Sequence, residues 1–475
     1  MAEISIWWIR RDLRLANNHA ITAATSSSNQ TIPLFIIDPL LVNSNRTGLK
    51  RLEFLYAGLT ELDRSLRERG SRLVVRTGEP LEVLRSLIVE SGAGRIFVEA
   101  DYSSYARKRD NNVSQNLPLA ITGSPGMADP DQVLKSDGSP YTVFTPYKKS
   151  WLSVILPLIN HNLPAPEHIQ SPKNIFSEDI PEVRKAGVAG QFPPGESEAL
   201  KRLDIFTRSD NKNISRYSEQ RNRMDLEGTS RLSPYLKFGM ISADQAVTRA
   251  MEVIDSIPGM GDQKGAQTWL SELIWRDFYI SIMYHFPLVS EMSFRADLRN
   301  IQWVNDRWEF EQWCHGQTGY PVVDAGMRQL DQTGWMHNRA RMITASFLVK
   351  DLLVDWRWGE TWFMEHLIDG DPAANNGGWQ WTAGTGTDAA PYFRIFNPVT
   401  QGKKFDPEGA FVRRWVPELA NVPVNYIHTP WEMPLNIQSD SGCRIGTDYP
   451  EPLVEHSYAR KRALETYKMA KDVKR

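Results

Sequence analysis

Residues 369–381 read DGDPAANNGGWQW and concentrate several chemical types in one short run. Two carboxylates, Asp369 and Asp371, precede Asn375 and Asn376. Trp379 and Trp381 follow, alternating about Gln380. Asn-Asn-Gly-Gly is turn material, because both residue types tolerate left-handed backbone conformations. The run therefore predicts a loop. A loop that only reverses direction has no need of two indoles, so this one suits a flat partner.

Three further stretches could do chemistry. In WLSELIWRDFY (269–279), Glu272, Trp275, Arg276 and Tyr279 recur at helical spacing and share one face. Taken alone, this is a surface Glu272–Arg276 pair, worth about 0.3–0.5 kcal/mol, beside core aromatics. MHNRARM (336–342) sets Asn338 and Met342 one turn apart, with Arg341 adjacent and Arg339 pointing elsewhere. Taken alone, it is a helix N-terminus with a solvated basic face and a methionine in the core. GTSRLSPYLKFG (228–239) opens with glycine, two hydroxyls and an arginine before Ser233-Pro234 enters a helix. Its amides, with Thr229, Ser230 and Ser233, could cradle phosphate oxygens. The alternative is a plain N-cap followed by proline. The GxxxxGK[ST] order is absent, as are HExxH, GxSxG and any Cys/His zinc spacing. Hydrolysis by a triad or a metal is disfavoured, and no metal site is expected.

The elements that must position these residues fall into three regions. ISIWWI (4–9), IPLFIID (32–38), RLVVRTG (72–78), RIFVEA (95–100) and LAITG (119–123) read as strands. Helical patterns lie between them, clearest in 51–70 and 80–92, with Gly70 and Gly92 where C-terminal caps belong. This alternation predicts an α/β domain over 1–125, with a Rossmann-like parallel sheet covered by helices. Such sheets bind ligands beyond the C-terminal ends of their strands. No GxGxxG follows the first strand, so a nicotinamide-type site is not supported. Residues 126–195, rich in Pro, Ser and Asn, read as an inter-domain connection. From 196 to 475 helical patterns dominate, strongest over 267–286 and 336–356.

The chain has 475 residues, enough for two or more domains. Hydrophobic residues at 41% and charged residues at 24% describe a globular protein with material for a large core. No run of eighteen apolar residues supports a transmembrane helix, and MAEISIWWIRRDLRL does not read as a secretory signal. Two cysteines in unrelated contexts make a disulfide framework unexpected. A cytoplasmic location is the default. A net charge of −2 gives no global pull toward nucleic acid, so DNA binding would need a local basic surface.

Together the motifs are specific. GTSRLSPYLKFG, WLSELIWRDFY, TGYPVVDAGMRQL, TGWMHNRARMITASFLVKDLLVDWRWGE, DGDPAANNGGWQW and FRIFNPVTQGKKFD occur in that order. The chain resembles the photolyase/cryptochrome family, closest to bacterial class I cyclobutane pyrimidine dimer (CPD) photolyases. The match is densest over about 228–420. The resemblance implies that 196–475 is an all-α FAD-binding and catalytic domain, and that the flat partner is the isoalloxazine ring of FAD. By motif match, Tyr217, Thr229, Ser230, Leu232 and Ser233 would hold the pyrophosphate region, and Trp269 and Glu272 would border the pocket. Asn338 and Arg341 would sit near adenine and flavin. Asp369 and Asp371 would contact flavin and ribose, with an Arg341–Asp369 ion pair beside the ring. Asn375 would face flavin N5, where plant cryptochromes carry Asp and animal ones Cys, and would favour the fully reduced anionic flavin.

The implied reaction is light-driven: excited reduced FAD lends an electron to the dimer, the two bonds joining the pyrimidines split, and the electron returns. Glu272 would hydrogen-bond the dimer and Asn338 would help orient flavin and lesion. Trp275 and Trp381 would stack on the flipped dimer, with Met342 packed against it. Arg221, Arg339, Arg394 and Lys403 would meet DNA phosphates. Trp379, Trp356 and Trp303 match the family's tryptophan chain for photoreduction of FAD. Phe35, Asp38, Arg51, Asp101 and Lys237 look like contacts of a second, antenna chromophore. A deazaflavin (8-HDF type) is favoured over a folate (MTHF), because the folate branch carries an Asn-Glu pair where this chain has Tyr105 and Ala106. The expected partner is UV-damaged DNA containing pyrimidine dimers, with no membrane and no obligate protein partner; a monomer is expected. The rivals are a blue-light cryptochrome without repair, a (6-4) photolyase, a dark flavin oxidoreductase and a plain DNA-binding protein. Asn375, Glu272, Met342 and the WQW tryptophans favour repair over the cryptochrome. Asn338 and Met342, where the (6-4) branch uses histidines, disfavour the second. No nicotinamide fingerprint supports the third, and the fourth would be expected to lose Glu272 or Asn375, both of which are present.

Overall fold

The computed structural model describes residues 2–158, 163–182, 187–208, 213–256 and 263–472. Five strands pair in parallel: β1 (Ala2–Ile9), β2 (Ser28–Ile37), β3 (Val74–Thr77), β4 (Arg95–Val98) and β5 (Leu119–Ile121), in the order β3-β2-β1-β4-β5. These are the five strands read from sequence. Their apolar, β-branched runs fit a sheet buried on both faces, and Ile6, Ile32, Leu34, Ile96 and Val98 form its core. The strand order reverses beside β1, so a crevice opens past the C-terminal ends. Arg10 to Asp12, Asp38, and Glu99 to Asp101 directly follow the ends of β1, β2 and β4.

The helices between the strands start and stop where their caps lie. Pro80–Ser91 begins on proline, with the Glu79 side chain accepting from the Glu82 amide at 2.9 Å, and ends at Gly92 with φ of 71°. Within 126–195, Phe144–Ile155 is a helix that buries Phe144, Tyr147, Trp151 and Ile155 at helical spacing. Parts of that stretch, 159–162 and 183–186, lie outside the described residues.

The chain forms two compact units. The first comprises Met1–Ser218, Ser230–Pro287 and Ile368–Ala373; the second comprises Glu219–Thr229, Leu288–Leu367 and Ala374–Arg475. The second is built of helices around an aromatic core that includes Trp313, Phe347, Trp356, Phe363, Trp379 and Trp415. No helix among the described residues is long and apolar enough to cross a membrane.

Two local expectations are corrected. Residues 336–356 are not one helix. The chain is helical over Asn338–Ser346, makes a π-helical turn over Phe347–Asp351, and passes through Leu353 at φ of 54°. It restarts at Trp356–His366, capped by the Asp355 side chain. The amide of Leu352 bonds the carbonyl of Phe347 at 3.0 Å, one residue beyond α-helical register. Most of 369–381 is not a loop either: only 369–371 are irregular, and Pro372–Ala383 is a helix. Asp371 accepts from the Ala373 amide at 3.0 Å and so caps it. Asn376 and Gln380, one turn apart, both donate to the Val289 carbonyl at 2.9 Å. These tertiary bonds override the poor propensity of Asn and Gly.

Candidate functional site

In the first unit the helix Lys264–His285 presents Glu272, Trp275, Arg276 and Tyr279 as a half-buried stripe, as the spacing predicts. Trp269 is buried one turn earlier and packs on Phe206 at 5.1 Å; Tyr217 meets the same ring at 5.8 Å. Arg276 donates to the carbonyls of Pro125 at 2.5 Å and Leu236 at 3.3 Å. The stripe is fixed from beneath by Asp277, whose carboxylate accepts from the Met127 and Ala128 amides and from the Trp151 indole. One face of Trp275 is stacked on Phe144, with centroids 3.7 Å apart and planes 7° from parallel. Phe144 escaped notice in a stretch read as connection; the spacing of Phe144, Tyr147 and Trp151 was the available signal.

The same unit holds a cluster of opposed charges. Arg11 pairs with Asp371, and its Nη1 lies 3.6 Å from Asp101. Burial works against the Arg11 charge, yet the two acids hold its pKa above the ordinary value. Burial opposes ionisation of Asp101 as well, but Arg11, Arg10 and Arg109 bring it down to about 2. Burial pushes Lys237 down to about 7, helped by Arg11 and opposed by Asp371. Arg51 is pushed down to about 10 by burial, against the pull of Asp369 and Asp371. Arg51, Asp101 and Lys237, assigned to the antenna, thus share one electrostatic neighbourhood with Asp369 and Asp371, assigned to FAD. Asp38 is engaged elsewhere: it accepts from the Leu40 amide at 3.0 Å and from the Tyr105 hydroxyl. Phe35 is buried near the end of β2.

Arg11 was missed, although its place directly after β1 was a signal. Gly239 seats it. The glycine has φ of 62°, and a Cβ there would lie 1.8 Å from the Arg11 carbonyl oxygen. Gly239 ends the short helix Ser233–Phe238, which has Pro234 in its first turn and buried Leu232 at the N-cap position. Thr229, in the second unit, and Ser230 are half-buried; Ser233 is exposed. A cleft of about 700 Å³ in the first unit is lined by Asp101, Tyr102, Arg107, Lys108, Asp129 and Tyr284, among others.

In the second unit Asn338 opens its helix and is exposed; its Nδ2 lies 4.0 Å from the Met342 sulfur. Arg341 donates to the Met336 carbonyl at 2.8 Å. Arg339 donates to Asn222 Oδ1 at 2.6 and 3.2 Å and lies 4.4 Å from the Phe405 ring centre. Burial, with Arg221 and Arg394 nearby, pushes it down to about 10. Three of the four residues assigned to DNA phosphates therefore form one basic group. Lys403 is exposed on the helix Pro398–Phe405 and is not among the charges acting on Arg339.

On the helix Pro372–Ala383, Asn375 donates through Nδ2 to both the backbone oxygen and the carboxylate of Glu360, at 2.9 and 3.0 Å. Glu360 is buried and was not singled out from sequence. Trp379, 2% exposed, packs against Phe363 at 4.9 Å and Trp313 at 6.1 Å. Its ring fits because residue 359 is glycine: a Cβ there would lie 2.0 Å from Trp379 Cη2. Trp356 is equally buried in the same core, while Trp303 is half-buried against its edge, 6.0 Å from Tyr467. Trp381 is half-buried. Ala374 and Gly378 are exposed one turn apart, and a Cβ on Gly378 would meet nothing within 4 Å. Among the described residues no group of three or more His, Cys, Asp or Glu side chains is placed to hold a metal ion.

Residues 269–469 match the FAD binding domain of DNA photolyase, and residues 5–167 match DNA photolyase. A relative from Escherichia coli named deoxyribodipyrimidine photo-lyase is 40% identical over 480 residues, 98% of each chain. A bacterial class III photolyase from Agrobacterium tumefaciens has a similar structure, with a TM-score of 0.91 at 36% identity, over 99% of this chain and 98% of that one. A cryptochrome from Synechocystis sp. PCC6803 gives 0.88 at 29%, over 98% and 99%. Similarity of this extent, carried along nearly the whole of both chains, places the protein in the photolyase/cryptochrome family.

Proposed function

We propose that the chain repairs cyclobutane pyrimidine dimers in DNA, using light and reduced FAD. The observation that favours repair over signalling is the fixed amide of Asn375. Glu360 offers it two acceptors, so only Nδ2 can face that way. With Nδ2 committed to Glu360, the group left over for a ligand is the side-chain carbonyl oxygen, an acceptor. Flavin N5 carries a hydrogen when the ring is reduced, so an acceptor suits the reduced form that repair needs. Gly378 on the same helix, where a Cβ would meet nothing within 4 Å, leaves room for a flat ring system. The Trp379 indole N–H, buried with no acceptor among the described residues, fits a neighbouring polar group.

In the first unit Tyr217, Ser230, Leu232, Ser233, Trp269, Glu272, Asp369 and Asp371 would hold FAD. In the second, Thr229, Asn338, Arg341 and Asn375 would do so. When bound and reduced, FAD would supply the photoexcited electron that opens the cyclobutane ring and is then recovered. Glu272 would hydrogen-bond the dimer, and Asn338 would orient it. Trp275 would offer the face that Phe144 leaves uncovered; Trp381 would stack and Met342 would pack alongside. Base extrusion, known for photolyases as a class, costs a few kcal/mol and less for a damaged base. Stacking returns about 1–3 kcal/mol per base, so two indoles offset most of it. Trp303, Trp356 and Trp379 would pass electrons inward. Arg221, Arg339, Arg394 and Lys403 would bind phosphates. A deazaflavin-type antenna would use Phe35, Asp38, Arg51, Asp101 and Lys237; extraction and spectroscopy of the bound chromophores would identify it.

The test is repair of a thymine-dimer oligonucleotide by the reduced protein, in blue light and in the dark, beside Glu272→Ala. Repair in light alone, weakened by the substitution, supports the proposal. Absence of repair in light, with FAD bound and reduced, overturns it in favour of a photoreceptor.

A further inference from the structure

Lys350 is a buried lysine that none of these roles uses. It lies in the π-helical turn Phe347–Asp351 and is 1% exposed. Its Nζ donates to the Ala383 carbonyl at 3.0 Å and approaches the Tyr392 carbonyl at 3.5 Å. It also sits 3.5 Å from the ring centre of Tyr467. Tyr467, on the helix His456–Asp472, is buried and donates its hydroxyl to the same Ala383 carbonyl at 2.8 Å. Burial pulls the Lys350 pKa well down, so keeping an amine here has a cost that a methionine would avoid.

Ala383 is the last residue of the helix that carries Trp379 and Trp381. The final carbonyls of a helix lack partners within it. Here the amides of Thr385 and Gly386 serve the Gln380 carbonyl, and those of Gly384 and Ala390 serve that of Trp381. The Ala383 carbonyl instead receives two side chains from distant parts of the sequence. Through Tyr392, which stacks on Tyr467 with planes 4° apart, the clamp reaches within two residues of Arg394. The C-terminal helix secures the π-turn as well. His456 Nδ1 lies 2.5 Å from Asp351 Oδ1, and Arg462 donates to the Asp351 carbonyl at 2.6 Å.

We propose that Lys350 and Tyr467 are positioning residues for the lesion, holding the end of the Trp381 helix and the segment after it in the shape that receives the dimer. The proposal rests on the repair reading above. The test uses the full chain loaded with FAD, as Lys350→Met and Tyr467→Phe. Affinities for a thymine-dimer oligonucleotide and its undamaged counterpart are measured, with repair at saturating DNA and light-driven flavin reduction without DNA. Each variant should bind dimer DNA about three- to ten-fold more weakly, the scale of one lost buried hydrogen bond. Undamaged-DNA affinity, repair at saturation and flavin reduction should stay as in the parent. Unchanged dimer affinity in both variants overturns the proposal. Equal weakening on both DNAs together with slower flavin reduction overturns it too, in favour of a general scaffold role. Tyr467→Phe keeps the ring and decides the matter if Lys350→Met does not fold. A parent that binds dimer and undamaged DNA alike removes the repair reading itself, and the clamp's role with it.

Discussion

Replacing Arg339 with methionine removes one charge from the group Arg221, Arg339 and Arg394 and keeps an aliphatic stem. Burial and its two like-charged neighbours lower the Arg339 pKa to about 10, so it is still protonated at pH 7. Asn222 and Phe405 already hold the guanidinium in place, so little side-chain freedom is lost when a phosphate docks. One phosphate contact changes the slope of log affinity against log salt by about 0.9. At 0.1 M salt, losing it corresponds to about an eight-fold loss in affinity, or about 1.2 kcal/mol. Fluorescence anisotropy over a salt series, with dimer-containing and undamaged oligonucleotides, measures both quantities. The variant should weaken binding to the two DNAs in parallel and flatten the slope by about 0.9. An unchanged slope would refute the phosphate role. A loss confined to dimer DNA would refute it as well, since Arg339 would then be reading the lesion.

Gly359→Ala puts a methyl carbon 2.0 Å from Trp379 Cη2 and 2.7 Å from Leu348 Cδ2. Overpacking should cost about 1–3 kcal/mol and displace the indole, seen as a lower melting temperature and slower light-driven flavin reduction. Glu360→Leu removes one of the two acceptors that orient Asn375. Its reduced flavin should reoxidise faster in air in the dark, followed by absorbance, with affinity for dimer DNA unchanged. Lys237, pushed by burial from 10.5 to about 7, gives a pH signature. Between those values the unfolded chain holds a proton that the folded chain lacks. Stability should therefore rise with pH across that window, by up to about 1.4 kcal/mol per unit. Lys237→Met should flatten that rise in denaturant titrations at pH 7 and 9.

The sheet was legible because strands buried on both faces leave continuous apolar runs, and glycine caps such as Gly92 punctuate the helices between them. The stripe on Lys264–His285 was legible because spacing alone puts residues on one helix face. Residues that act through a distant partner were not. Glu360 matters because Asn375 lies against it, Phe144 because Trp275 stacks on it, and Arg11 because Asp371 and Asp101 fold onto it. None of those pairings has a local period. The break at 347–355 was hidden for a related reason. The apolar pattern runs straight through it, and only the π-turn and the left-handed Leu353 interrupt the helix.

The helix Pro372–Ala383 shows why its sequence misleads. Two adjacent glycines cost a helix interior about 2 kcal/mol relative to alanine, and asparagines add to that. The tethers of Asn376 and Gln380 to Val289, and of Asn375 to Glu360, are worth about 0.5–1.5 kcal/mol each, enough to offset the cost. What the glycines provide is an absence: at Gly378 the helix carries no side chain and faces open space. Alanine there would recover about 1 kcal/mol of propensity and meet no protein atom, so stability alone does not account for glycine. A local choice that weakens the element and is held in place by bonds from elsewhere is what a functional or strained site produces. Under the proposed function, the demand that would account for it is close approach of the flavin ring to the helix backbone, beside the Asn375 amide that Glu360 fixes.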